Sequence, residues 1–206
     1  METIGLLPLS IVLFPGSSYP LHIFESRYKV LVNETMSSDG EFGINLVEDG
    51  RMFPVGCRAH VERVVKRYED GRMDIIVAGT DRYEIKGYRS NEKPYLMADT
   101  EPFEDVDTEV DYQLLDATIL LYNQLVESVY GEAEEPLETG DWVSGGGSFR
   151  VAQKAGLDLS VRQNLLQMRS EGERLRFLKE YLEELLPKIK EMEKIQSIIR
   201  NDGYVR

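Results

Sequence analysis

No part of this 206-residue chain limits its fold more than Leu7 to Tyr28, which reads LPLSIVLFPGSSYPLHIFESRY. An apolar strand runs into Phe14-Pro15-Gly16, where proline presets one backbone angle and glycine accepts a positive one, so the chain turns. Pro20 removes a backbone donor, which makes its neighbourhood a sheet edge or a connector. From Glu25 the spacing becomes helical, with Tyr28, Leu31, Val32 and Thr35 on one face. A strand, a tight turn, a proline-bearing edge and a helix follow one another within a few dozen residues. The chain therefore starts as a mixed α and β structure rather than a helical bundle.

Residues 3 to 103 continue mostly as β. Phe42 to Val47 predicts a strand closed by Glu48-Asp49-Gly50. Val55 to Tyr68 is longer, with Val55, Cys57, Ala59 and Val61 alternating against polar residues. Glu69-Asp70-Gly71-Arg72 predicts a hairpin turn. Met73 to Ala78 returns as its partner, Gly79 and Gly87 bracket another strand over Arg82 to Lys86, and Pro94 to Ala98 begins the last. Many short strands at steady spacing predict a small barrel or paired sheets.

These residues resemble the Lon N-terminal domain family, the substrate-recognition region of Lon proteases, which also occurs as a stand-alone small protein. The shared pattern is Phe14-Pro15-Gly16, then Pro20-Leu21-His22-Ile23-Phe24-Glu25, then Arg27-Tyr28, with Ser26 where many relatives have proline. Phe42-Gly43, Val55-Gly56-Cys57, Asp70-Gly71-Arg72, Gly79-Thr80-Asp81-Arg82-Tyr83 and Pro94-Tyr95 continue it. The resemblance implies a β-rich, PUA-like barrel followed by helices, and so an α+β fold. It also implies recognition of polypeptide.

Five of the eight residues from Glu104 to Asp111 are acidic and none is basic, which places a linker there. The expected division is a barrel-like domain over 1–104 and an α-helical bundle over 105–206. Thr108 with Asp111 reads as a capping box. The helix from Glu109 to Val129 should bury Val110, Leu114, Leu121, Leu125 and Val129, with Leu115, Tyr122 and Val126 widening the stripe. A polar, glycine-rich loop spans 131–147. Ser148 is then a cap for a short helix ending at Gly156. Ser160 with Gln163, and Ser170 with Glu173, read as further capping boxes. Leu175, Leu178, Leu182, Leu185 and Leu186 mark the last long helix. Pro187 starts or kinks a terminal one carrying Ile189, Met192, Ile195 and Ile199.

Composition narrows the function. A net charge of −13 repels phosphate backbones, so nucleic acid is a poor partner. A single cysteine, Cys57, rules out an intramolecular disulfide and suits a reducing compartment. Met1-Glu2-Thr3 lacks the basic start of a signal peptide, and no stretch has the about 20 apolar residues of a spanning helix. A cytoplasmic, soluble protein without membrane association is expected.

The chemistry-bearing residues are few. The two histidines, His22 and His60, and the one thiol fall short of a three- or four-ligand metal site. His22 and Glu25 are better read as holding the loop that enters the first helix. No serine sits in a Gly-x-Ser-x-Gly elbow, and no phosphate-binding loop of an ATPase is present. Gly145-Gly146-Gly147 before a helix lacks a following lysine and reads as a flexible loop. Lys66-Arg67-Tyr68 and Arg82-Tyr83 are basic-aromatic pairs of the kind that stack bases, but a solvated sheet edge accounts for them. No catalytic, metal or cofactor residue is expected.

The expectation is a non-catalytic polypeptide-recognition module, an adaptor or holdase for unfolded or damaged chains or for one specific protein. It carries Lon-like recognition without ATPase or protease parts, and no room follows residue 206 for them. Tyr19, His22, Phe24, Tyr28 and Trp142 are the candidate polypeptide-binding residues, with Tyr19 the most exposed and Phe24, Tyr28 and Tyr95 mostly buried. Self-association through the terminal helix would cover Ile189, Met192 and Ile199. Two rivals stand: a PUA-like nucleic-acid binder and a hydrolase or peptidase.

Overall fold

The computed structural model describes residues 1–89, 93–107, 109–130, 136–138 and 146–201, with backbone alone for Tyr130, Glu193, Arg200 and Asn201. Two compact units emerge: 1–106 with 157–169, and 107–156 with 170–206.

The first unit is built on strands β1 (Glu2–Leu9), β2 (Ser18–Ile23), β3 (Phe42–Glu48), β4 (Arg51–Met52), β5 (Val55–Arg67), β6 (Met73–Arg89) and β7 (Met97–Pro102), with helix α1 (Ser26–Ser38) between β2 and β3. Pairing runs β1-β7-β6-β5-β3, and β3 then pairs parallel with β1, Leu6 opposite Gly43 and Leu9 opposite Leu46. That last ladder closes a five-strand ring, which removes the exposed edges an open sheet would leave. β2 lies off the ring, antiparallel to the first half of β6. The second half of β6 pairs with β7.

β6 is one 17-residue strand where the glycines at 79 and 87 predicted two. Gly79 is there for close approach, not for a break. A Cβ on it would strike the Phe14 carbonyl oxygen, and its N–H donates to the Ser17 carbonyl at 2.9 Å. Gly87 marks a register shift against β7 after Ile85, a bulge that bends the strand without ending it. The Gly71 turn joins β5 to β6 as predicted, at φ 81°.

Tyr28, Leu31, Val32 and Thr35 are the buried residues of α1, the four that the helical spacing selects. Tyr28, Leu31 and Val32 pack with Leu13, Ile23, Phe42, Ile44, Cys57, Met73, Ile75 and Val77 into the main core of this unit.

The segment 157–169 returns to this unit, whereas the sequence places all of 105–206 in one helical bundle. Its helix α4 (Leu159–Gln167) is held by polar groups whose targets lie more than 80 residues away. Arg162 donates to the Val12 carbonyl at 3.2 Å and lies over the Phe14 ring, 4.8 Å from its centroid. Gln163 donates to the Val55 carbonyl at 3.0 Å. Arg82 donates to the carbonyls of Leu166 at 2.9 Å and Met168 at 2.6 Å, and pairs with Asp105 at 2.5 Å. Arg82 and Tyr83 are therefore buried, not residues of a solvated edge. Gln163, committed to Val55, closes no capping box with Ser160, and Asp158 takes the cap position of α4.

The second unit packs α2 (Tyr112–Tyr130) and α3 (Gly147–Lys154) with α5 (Glu171–Asn201). Asp111 caps α2, its Oδ1 accepting from the N–H groups of Gln113 at 3.0 Å and Leu114 at 3.1 Å. The helix thus starts three residues later than the spacing predicts, and Thr108 lies outside the described residues. Its buried stripe is Leu115, Thr118, Ile119, Tyr122, Leu125 and Val126, while Val129 is exposed. Across from it α5 buries Leu175, Leu178, Leu182 and Leu186.

Ser148 is no cap either: it lies buried inside α3, and Gly146 holds the cap position. Its hydroxyl donates to Glu171 at 2.7 Å, and Glu171 pairs with Arg174 at 2.7 Å. The Ser170 box forms by half, the Glu173 N–H donating to Ser170 Oγ at 3.3 Å. α5 runs through Pro187 as one helix. Among the described residues, no helix is long and apolar enough to cross a membrane.

Candidate functional site

β2 is set by the turn before it. Ser17, buried, closes that turn by donating its hydroxyl to the Phe14 carbonyl at 2.7 Å, and Gly16 takes φ 72°. The strand then runs beside β6 with Tyr19 opposite Val77, Pro20 opposite Ile76, Leu21 opposite Ile75, His22 opposite Asp74 and Ile23 opposite Met73. Side chains alternate. Tyr19, Leu21 and Ile23 face the core, while Pro20 and His22 face out.

Residues paired in register share a face of the sheet, so the outer face can be read row by row. His22 on β2, Asp74 on β6 and Lys66 on β5 form one row. Tyr68 and Arg72 stand beside it, joined where the Tyr68 N–H donates to the Arg72 carbonyl at 2.9 Å. Phe24 follows His22 at the end of β2, 60% exposed.

The side chains form one cluster. The Phe24 and His22 rings stack with centroids 6.0 Å apart and planes 20° from parallel. The His22 ring meets Tyr68 edge-on at 5.9 Å. His22 Nδ1 lies 2.6 Å from Asp74 Oδ1, and the Tyr68 hydroxyl donates to Asp74 Oδ2 at 2.7 Å. Lys66 Nζ is 4.6 Å and Arg72 Cζ 5.1 Å from the Tyr68 centroid. The hydrogen bonds from His22 and then Tyr68 hold the Asp74 carboxyl below the usual carboxylate range. The bond to Asp74 in turn raises the Tyr68 phenol. Both carboxylate oxygens are engaged, which orients the two rings and leaves Phe24 presented to solvent.

His22 is engaged by Asp74, and Glu25 pairs with Arg27 at 2.8 Å, so they do not jointly hold the loop. Cys57 is buried, and burial, then the charge of Asp81, pushes its thiol up. Among the described residues no group of three or more His, Cys, Asp or Glu is placed to hold a metal ion.

Of the residues predicted from sequence, the structure brings His22 and Phe24 together on the outer face. Tyr19 is half-buried beneath it, and Tyr28 is buried on α1 with Arg27 over its ring at 4.5 Å. The order of exposure is thus the reverse of the expected one: Phe24 is exposed, Tyr19 is not. Trp142 lies outside the described residues. Sequence reasoning missed Asp74, Lys66 and Tyr68 as members of the cluster. The signal available was the Lys66-Arg67-Tyr68 pair, one hairpin turn from Met73.

The free edge of β2 has no strand beside it among the described residues. Pro20 lies in that strand and lacks a donor, which blunts it against pairing with an added strand.

Solved structures share this architecture. The Lon N-terminal domain protein from Xanthomonas campestris matches with a TM-score of 0.63 and 25% identity, over 86% of this chain and 97% of that one. The N-terminal domain of the Mycobacterium avium complex Lon protease matches in fold with a TM-score of 0.64 and 15% identity, over 88% and 98%. The family model described as the ATP-dependent protease La (LON) substrate-binding domain matches residues 3–184, so this chain belongs to the Lon substrate-binding domain family.

Proposed function

We propose that this protein recognises segments of unfolded or damaged polypeptide on the outer face of β2 and the β5–β6 hairpin, and acts as an adaptor or holdase. Family membership supports substrate recognition in the broad sense. The observation that carries the finer reading is Phe24, exposed and stacked on a histidine that Asp74 anchors. An aromatic ring held in place before binding loses little entropy on contact, which is why such anchors dominate binding energy. Recognition by side chains, with no reaction to perform, tolerates many sequences.

Fluorescence anisotropy of a labelled, permanently unfolded polypeptide tests this, with single-stranded RNA in parallel and no ATP. Saturable binding to the polypeptide is expected. Phe24→Ala should weaken it at least about tenfold, a loss of ~1.4 kcal/mol. Because Phe24 is exposed, its loss should leave stability within about 0.5 kcal/mol. Binding to RNA alone would overturn the reading in favour of a nucleic-acid function.

A further inference from the structure

The first unit also holds a cleft of about 460 Å³, away from the aromatic face, between the Pro15 turn, the middle of β6 and the end of β7. Its volume suits a single side chain or small ligand. Four carboxylates line it, those of Glu2, Asp81, Glu104 and Asp105, against the guanidiniums of Arg58 and Arg82. Arg58 is paired with Glu2, and Arg82 with Asp105. Asp81 and Glu104 are left with no ion pair or side-chain hydrogen bond among the described residues. The cleft's surplus charge is negative, and both of its cations are already engaged.

Two further features fit a cation. Phe103 forms an apolar wall, and its ring already stacks against guanidinium groups, with Arg82 Cζ at 5.3 Å and Arg169 Cζ at 5.1 Å from the centroid. Thr80 stands on the same wall, and its hydroxyl oxygen, closed off from solvent, has no hydrogen-bond partner. A hydroxyl can turn to accept from a donor that arrives. An anion would meet two unpaired carboxylates and would have to displace Glu2 or Asp105.

We propose that this cleft takes a basic side chain, arginine or lysine, of a bound polypeptide: the aliphatic stem against Phe103 and the charged head at Asp81 and Glu104. The inference rests on the polypeptide reading above and adds a second point of contact, chemically distinct from the aromatic face.

The probe is N-acetylarginine amide, titrated into the full chain and followed by backbone amide resonances. Saturable shifts at Thr80, Asp81 and Glu104 are expected, together with an affinity at least about tenfold lower in D81N/E104Q. No saturable shift, an equal response to N-acetylnorvaline amide, or a stronger one to N-acetylglutamate amide would overturn the proposal. Should the double variant fail to fold, the three titrations on the unaltered protein still decide. The two readings also fail separately. Polypeptide binding lost in F24A but unchanged in a folded D81N/E104Q removes the cleft alone. Polypeptide binding lost in a folded D81N/E104Q but unchanged in F24A removes the aromatic face alone, and no polypeptide binding at all overturns both.

Discussion

Asp74 is where an acid, a base and a phenol meet on the outer face, and its titration gives the site a pH signature. Hydrogen bonds from His22 and Tyr68 lower its folded-state pKa. The unfolded chain therefore binds the proton more readily than the folded one. The stability this confers is full above the unfolded value of about 4 and is lost as pH falls through the folded value. Urea midpoints of the wild type and Asp74→Asn should accordingly differ most at neutral pH and converge in acid; a gap that stays constant down to pH ~2 would show that the carboxylate's charge does not matter. The core face of α1 is legible in the amino-acid sequence, because Tyr28, Leu31, Val32 and Thr35 share a local period of 3.6. The exposure of Phe24 is not, since it depends on which face β2 turns to β6, a register that no local pattern states. Nor is the burial of Arg82, two of whose partners are carbonyls more than 80 residues away.

Ser148 and Gly79 are misread because their roles are set by distant parts of the chain. Ser148 resembles a helix cap, but Glu171 and Arg174 take its hydroxyl into a buried network. Gly79 resembles a strand break, but the crossing of Phe14 requires it. Gly79→Ala should thus cost about 1–3 kcal/mol or more, because the obstructing atom is backbone and cannot swing aside; urea denaturation measures this. Arg82 ties α4 to the barrel. Arg82→Met would take the guanidinium away from Asp105, whose carboxylate is mostly buried, and from the carbonyls of Leu166 and Met168. A loss of about 3–5 kcal/mol is expected in the same assay. If Arg82→Met costs under ~1 kcal/mol, Arg82 is not what holds α4.

At the scale of the whole molecule, the acidic run at 104–111 is visible from composition, and the first unit's opening segment ends inside it, at Val106. The return of 157–169 is not visible there, because α4 carries the pattern of any short amphipathic helix and only its partners reveal where it belongs. A fragment of residues 1–106 should therefore fold poorly, and a synthetic peptide of 157–169 added in trans should raise its thermal midpoint; an unchanged midpoint would show the barrel to be complete without α4. The same connectivity sets a schedule during synthesis. The strands of the barrel leave the ribosome first, yet Arg82 has no carbonyls to grip until the chain has grown from residue 106 to 169. At the usual elongation rates of about 5–20 residues per second, that is a wait of roughly 3–13 s. Through that interval a nascent chain carries a buried-type arginine that has Asp105 but neither of its α4 carbonyls. The protein is thus, for a few seconds of every synthesis, the kind of incomplete chain that it is proposed to recognise.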